Sequence, residues 1–248
     1  MKNTFYSFLC LLILTSCSTK KDILYFQDYK TNQNSEIQYI APKIQVNDIL
    51  SIRVSAIIAE SVIPFNVQKD NKDGSSQQEG YLVDVEGNIT FPLLGKINVL
   101  SKTTIEAEEI IKEKLVSNGF LINPTISVRV VNGKITILGS INGPGTYNFP
   151  EANITLLQAI GYASDLNIKG TRDNILIIRE EDGKRTYGTV DLRKTDWLNG
   201  PYYYVRPNDV IYIKPNGPQI KSAGFITTWT GVLSIFSTAL TLYLITTR

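Results

Sequence analysis

The chain has no histidine, only two cysteines and a single methionine in 248 residues. Without histidine the commonest general base and a principal transition-metal ligand are missing. Of the two thiols, Cys10 lies inside an apolar N-terminal leader and would leave with it, so the mature chain keeps Cys17 alone and forms no disulfide. Charge of one sign is also lacking: 25 Lys and Arg face 23 Asp and Glu, with no basic run. Nothing therefore directs the chain to nucleic acid. No heptad array, low-complexity tract, metal-ligand spacing or cofactor motif occurs, and no residue is expected to be catalytic.

The two ends carry what is distinctive. At the first, Lys2 precedes a short apolar run that closes in Leu14-Thr15-Ser16-Cys17, shorter than the roughly 20 residues a spanning helix needs. Small residues before a cysteine resemble a lipobox, which makes residues 1–16 a signal peptide and Cys17 the site of lipidation by palmitate and other acyl groups. The alternative is an ordinary leader that contains a cysteine. Ser18, in place of an acid, favours the outer membrane. Residues 17–40 read as a lipidated tether, polar with interspersed aromatics.

At the other end, residues 222–248 form an uncharged run up to Arg248, and nine side chains from Phe225 to Thr247 are Ser or Thr. As a helix, Phe225 to Thr247 would be roughly 34 Å long, enough to cross a bilayer. At about 100° per residue, Thr227, Thr230, Ser234, Ser237 and Thr241 share an arc of roughly 80°, and Phe225, Val232, Phe236, Ala239 and Tyr243 point the other way. Trp229 and Tyr243, about 21 Å apart along the axis, suit the two membrane interfaces. Copies of such a helix would be stable in lipid if they turned their hydroxyl faces inward around water. A lone anchor whose hydroxyls bond back to their own helix, or a packed helix pair, is the alternative.

Between the ends, alternation over Ile44 to Ala56 predicts a strand interrupted at Asn47-Asp48, and Tyr81 to Leu94 reads as a hairpin turning at Glu86-Gly87-Asn88. Thr103 and Glu106 form a capping-box pattern opening a helix with a buried stripe at Ile110, Ile111 and Leu115, an i,i+4 pair Glu108 to Lys112 and a stop at Gly119. A strand follows at Thr125 to Val131. Lys69 to Glu79 has the composition of a solvated loop. A second unit begins near Lys134, with strands at Ile135 to Leu138, Asn174 to Arg179, Tyr187 to Asp191 and Val210 to Ile213, a Gly143-Pro144-Gly145 turn and a short helix at Leu156 to Ala163. This is an α+β pattern. One internal echo links Val46-Asn47-Asp48-Ile49-Leu50 to Pro207-Asn208-Asp209-Val210-Ile211.

These residues carry a family resemblance. Residues 41–132, through Asn47-Asp48-Ile49-Leu50, the span Val83 to Gly95 and Asn123-Pro124-Thr125-Ile126, resemble the polysaccharide export domain of Wza-like outer-membrane proteins. Residues 133–217, through Gly139, Pro144-Gly145, Thr155-Leu156-Leu157, Arg179 and Asn208-Asp209-Val210, are similar to the β-grasp-like SLBB domain that accompanies it. The resemblance implies a homo-oligomeric ring in the cell outer membrane, its body in the periplasm and its C-terminal transmembrane amphipathic helices lining a channel. Capsular or exopolysaccharide would pass through, received from an inner-membrane polysaccharide copolymerase complex. The chain departs from the longer members in having one β-grasp domain. It also has Asn47 and Asn208 where glycine is frequent, a replacement asparagine tolerates.

Other readings stand beside this one. Asp84 and Glu86, two apart on a predicted strand, face one side and would suit a paired-acid glycosidase; the plainer reading is a solvated strand face. Asp182, Asp191 and Asp196 show no ligand spacing. Tyr202, Tyr203 and Tyr204 offer aromatic faces for sugar rings or serve as core and interface residues of a strand. A non-conducting scaffold or polysaccharide-binding lipoprotein anchored at both ends is the alternative function.

Overall fold

The computed structural model describes residues 20–30, 39–66, 80–181, 183–222 and 229–246. Cys17 and the expected leader before it, Phe225, Thr227, Asp182 and residues 69–79, expected to form a loop, lie outside the described residues, and of Trp229 and Thr230 only the backbone is described.

Buried side chains fall into two hydrophobic clusters, one drawn from Ile44 to Val128 and one from Ile135 to Ile213. In the first unit, β1 (Ile49–Ser55) is the centre of a three-stranded antiparallel sheet between β2 (Tyr81–Leu82) and β5 (Thr125–Val130). Alternation decides its inner face: Leu50, Ile52 and Val54 are buried while Ser51, Arg53 and Ser55 are exposed. Helix α1 (Thr104–Ser117) covers that sheet with Ala107, Ile111 and Leu115. The capping box is present as read: Thr103 Oγ1 accepts the Glu106 amide at 3.2 Å and Glu106 Oε2 accepts the Thr103 amide at 2.7 Å. Gly119, at φ +74°, stops the helix. Glu108, expected to face Lys112, accepts the amide of Val128 at 2.9 Å and so occupies a free donor on the outer edge of β5.

One expected pairing is corrected. Tyr81–Leu82 does not form a hairpin with the strand after the turn; it pairs with β1, Leu50 opposite Tyr81. The chain does turn at Gly87, and Asp84 accepts the Asn88 amide at 2.7 Å, but β3 (Asn88–Phe91) then pairs onward with β4 (Gly95–Asn98). Val83 is fully buried whereas Val85, two residues on, is 77% exposed. A run of alternating residues does not reveal which neighbour supplies its hydrogen bonds, and β1 needed an edge partner.

The second unit holds a five-stranded sheet in the order β10 (Lys184–Val190), β9 (Gly170–Glu181), β12 (Val210–Pro215), β6 (Lys134–Gly139), β7 (Gly145–Asn148). All neighbours are antiparallel except β12 with β6. Helix α2 (Leu156–Tyr162) begins with a second capping box, Thr155 with Gln158, and follows β8 (Ile154–Thr155), which pairs with β11 (Tyr204–Val205). The chain is thus α+β throughout.

Strand registers give the molecule two poles. The units meet where β1 and β5 pair at Leu50 and Val130 and where β6 and β12 begin. There Asn132 accepts the Ile49 amide and donates to the Asn47 carbonyl, both at 2.8 Å. The outer end of the second unit is the far end of its strands, where Ile213 faces Gly139 and Pro215 faces Gly170. Asn216 is fastened there, its side chain donating to Ile168 O at 3.0 Å, and helix α3 (Gly217–Ser222) leads the chain away.

The N-terminal segment reaches the same end. Within the expected tether, residues 20–30 form a docked strap: Phe26 and Gln27 donate backbone hydrogen bonds to Leu192 and Arg193, and Asp22 lies 3.7 Å from Arg193. Phe26 stacks on Trp197 at 6.4 Å, and the Tyr25 hydroxyl donates to Asp165 at 2.6 Å. Burial, aided by that carboxylate, pushes the Tyr25 hydroxyl well above its ordinary pKa.

Candidate functional site

Helix α4 (Trp229–Thr246) is the feature farthest from ordinary globular packing. Leu233, Phe236, Leu244 and Ile245 are each more than half exposed, and so is Tyr243. Exposed apolar side chains on all sides of one helix need a lipid or protein environment that a single chain does not provide. The helix has 18 residues, or about 27 Å. Among the described residues no helix is long and apolar enough to cross a membrane.

Ser234, Ser237 and Thr241 are exposed and lie along one side as read. Two of these hydroxyls are engaged locally: Ser237 donates to Ser234 O at 3.2 Å and Thr241 to Ser237 O at 2.7 Å. Thr238, omitted from the five-residue stripe, donates to Ser234 O at 2.9 Å and lies beside that row. Its position about 40° from Ser234 was available from the helical period. Back-bonding satisfies the Ser237, Thr238 and Thr241 donors in a dry environment and leaves the oxygen lone pairs open to water.

The three consecutive tyrosines separate. Tyr202 lies under the Arg179 guanidinium, 5.2 Å from ring centroid to Cζ, and packs against Gly188. Tyr203 and Tyr204 meet edge to face at 4.8 Å and line a groove with Asn153, Asn199, Pro201 and Arg206. Tyr39, from the segment entering the first unit, packs on Tyr204 at 5.9 Å, a contact that no sequence signal announces. The carboxylates considered for acid chemistry are engaged in turn formation: Asp84 and Glu86 are on the turn between β2 and β3, not on a strand. The Asn88 amide holds Asp84 below its ordinary pKa, with Lys96 at 3.8 Å assisting.

Comparison with known proteins matches residues 38–131 to the family described as polysaccharide biosynthesis/export protein. The chain is also similar to two curated proteins, each an EPS I polysaccharide export outer membrane protein EpsA. That of Ralstonia solanacearum is 25% identical over 148 residues, 58% of this chain and 38% of the relative. That of Ralstonia nicotianae is 29% identical over 144 residues, 57% of this chain and 37% of the relative. The chain is matched over well under half the length of these relatives. Residues 38–131, which hold the first of the two cores, are thus the part of the chain that is similar to the polysaccharide biosynthesis/export family.

Proposed function

We propose that this chain is an outer-membrane lipoprotein whose copies form a ring for the export of capsular or exopolysaccharide. The observation that carries the reading is the arrangement of its exits. The strap that follows Cys17 and the helix that ends at Ser222 leave from the same end of the second unit, so one membrane takes both attachments and the export domain points away from it. The names of the two relatives, outer-membrane export proteins, favour the outer membrane, which leaves the body in the periplasm.

In this reading Cys17 carries the lipid, Trp229 and Tyr243 settle at the interfaces, and α4 crosses as one of several copies. Thr227, Thr230, Ser234, Ser237 and Thr241 line the water-filled lumen. Hydroxyls that a solitary span would turn toward lipid become an advantage, because only the outer face of a helical ring meets lipid. Weak, exchangeable hydrogen bonds to a hydroxyl wall let a hydrated polymer slide, where tight sites would stall it. The second unit serves as the SLBB domain of the vestibule, and an inner-membrane copolymerase complex delivers the chain. The polymer passes through unmodified, without catalysis.

The back-bonded hydroxyls favour one competing reading, a non-conducting anchored scaffold. Native mass of the full-length lipidated protein in mild detergent decides between them. A discrete closed oligomer that collapses when Gly224 to Arg248 is removed supports the channel. A monomer under all mild conditions, or export that survives replacement of the tail by an unrelated apolar helix, sinks it.

A further inference from the structure

The groove on the second unit has the composition of a sugar subsite. It is lined by Tyr203, Tyr204, Asn153, Asn199, Pro201 and Arg206 and encloses about 170 Å³. That is smaller than the about 300–1,000 Å³ that takes a drug-sized molecule, and suited to a ring or two of a polymer that runs on through solvent. Tyr203 and Tyr204 stand at 70° to each other and both line the groove, which therefore offers aromatic surface in two planes. A ring face suits the apolar C–H side of a pyranose, and a hydroxyl-bearing edge suits its rim.

The polar inventory points the same way. The hydroxyls of Tyr203 and Tyr204 and the side-chain amide of Asn199 make no hydrogen bond to the described residues. They can donate and accept, as sugar hydroxyls do. Asn153 is held in place by its bond to Ile40 O at 3.3 Å. Tyr203 is braced from behind by Trp197, centroids 6.2 Å apart, and Tyr204 by Tyr39. Arg206, the cation among the described lining residues, is engaged in an ion pair with Glu181, which leaves the lining without net charge. An anionic sugar would meet a cation already committed to another carboxylate.

We propose that this groove binds a neutral hexopyranose unit of a polysaccharide, with Tyr204 as stacking platform and Tyr203, Asn199 and Asn153 as hydrogen-bonding rim. The inference rests on the export reading for the presence of a polysaccharide at this surface. It also narrows the tyrosine run, since Tyr202 is committed to Arg179.

The test is saturation-transfer NMR on the full-length protein in mild detergent, with cellohexaose, mannohexaose, maltohexaose and hexagalacturonate as probes. At least one neutral hexaose should receive saturation, strongest at its ring C–H protons, and hexagalacturonate should not. Tyr204→Ala should weaken that binding about tenfold, as expected for loss of a stacked ring, and Asn199→Ala should weaken it less. Tyr202→Phe should leave it unchanged, with circular dichroism confirming that each variant is folded. No transfer to any neutral hexaose, or equal transfer in folded Tyr204→Ala and Asn199→Ala proteins, overturns the proposal. Loss of sugar binding with an intact detergent oligomer would remove the subsite and leave the channel, and the converse would remove the channel and leave the subsite.

Discussion

Asp48 and Asp209 occupy the same position in the same turn, once in each unit. Each carboxylate accepts the amide of the residue three before it, Gln45 at 2.8 Å and Arg206 at 2.9 Å. The preceding Asn47 and Asn208 have φ of 69° and 68°, the left-handed region that asparagine tolerates. Both acids are almost wholly buried, at 3% and 1% exposure. They differ in charge compensation. Asp209 receives Arg179 at 2.8 Å, whereas Asp48 lines the inter-unit cleft with the amide of Gln45 as its hydrogen-bond donor.

That difference sets a pH dependence. Burial pushes the Asp48 carboxyl up from 3.8 to about 6, opposed by the Gln45 amide. The native state therefore holds this proton more tightly than the unfolded chain, and stability from this group falls as pH rises from about 4 to about 6, by up to about 3 kcal/mol. Asp48→Asn, which keeps an acceptor for Gln45, should be more stable than the wild type at pH 7.5 and equal to it near pH 4. Urea unfolding of both full-length proteins across that range measures the difference, and a pH-independent gap would contradict the assignment.

In the Arg179 pair the buried carboxylate is compensated by a cation. Arg179 Nη2 and Nε reach both oxygens of Asp209, while Nη1 and Nη2 also donate to Pro201 O and Tyr204 O. Arg179→Met leaves a buried, uncompensated carboxylate and should cost about 3–5 kcal/mol. Adding Asp209→Asn should recover part of that loss. Simple additivity in the double-variant cycle would mean that the two side chains are not coupled.

The strap is predicted to be separable from the fold it lies on. Phe26→Ala removes the stack on Trp197, and Arg193→Ala removes the charge that faces Asp22, Asp173 and Asp191. Each variant should expose the segment 20–30 to limited proteolysis and change Trp197 fluorescence, read in a Trp229→Phe background, while unfolding of the body shifts by about 1 kcal/mol or less. Unchanged cleavage would show that the segment is held by other contacts.

Ser234→Leu with Ser237→Leu should abolish polymer export while leaving the membrane association of the protein intact. The change removes wettable surface without removing helix propensity or apolar area. Normal export by this variant would identify the hydroxyls as helix decoration.

Gly139 is conformationally required. Its φ is +95°, and a methyl group there would run into the backbone carbonyl of Ile213 on β12. Gly139→Ala should destabilise by about 1–3 kcal/mol, visible as a lowered urea midpoint with an unchanged slope.

Local rules were the legible part. The Thr103 and Glu106 box, the Gly119 stop and the strands around Ile135 and Ile211 depend on residues a few positions apart, and the Asn-Asp echo marked a turn built identically twice. Tertiary pairings were hidden. Tyr81 takes its partner from Leu50 and Arg179 from Asp209, and Tyr39 reaches Tyr204 across much of the chain. In the candidate site the hydroxyl row was readable from the helical period, whereas the sugar-sized groove required β8, β11 and the entering segment to converge.

The sequence alone narrowed the class of chemistry, because a chain without histidine lacks the commonest general base whatever its fold. It also displayed the hydroxyl row of the C-terminal helix, since helical periodicity is a property of residues close together along the chain. Only the tertiary structure decided that both ends leave from one pole and that, of two matched aspartates, Asp209 is the one paired with an arginine. Those facts arise from strand order and register, which bring together residues far apart along the chain.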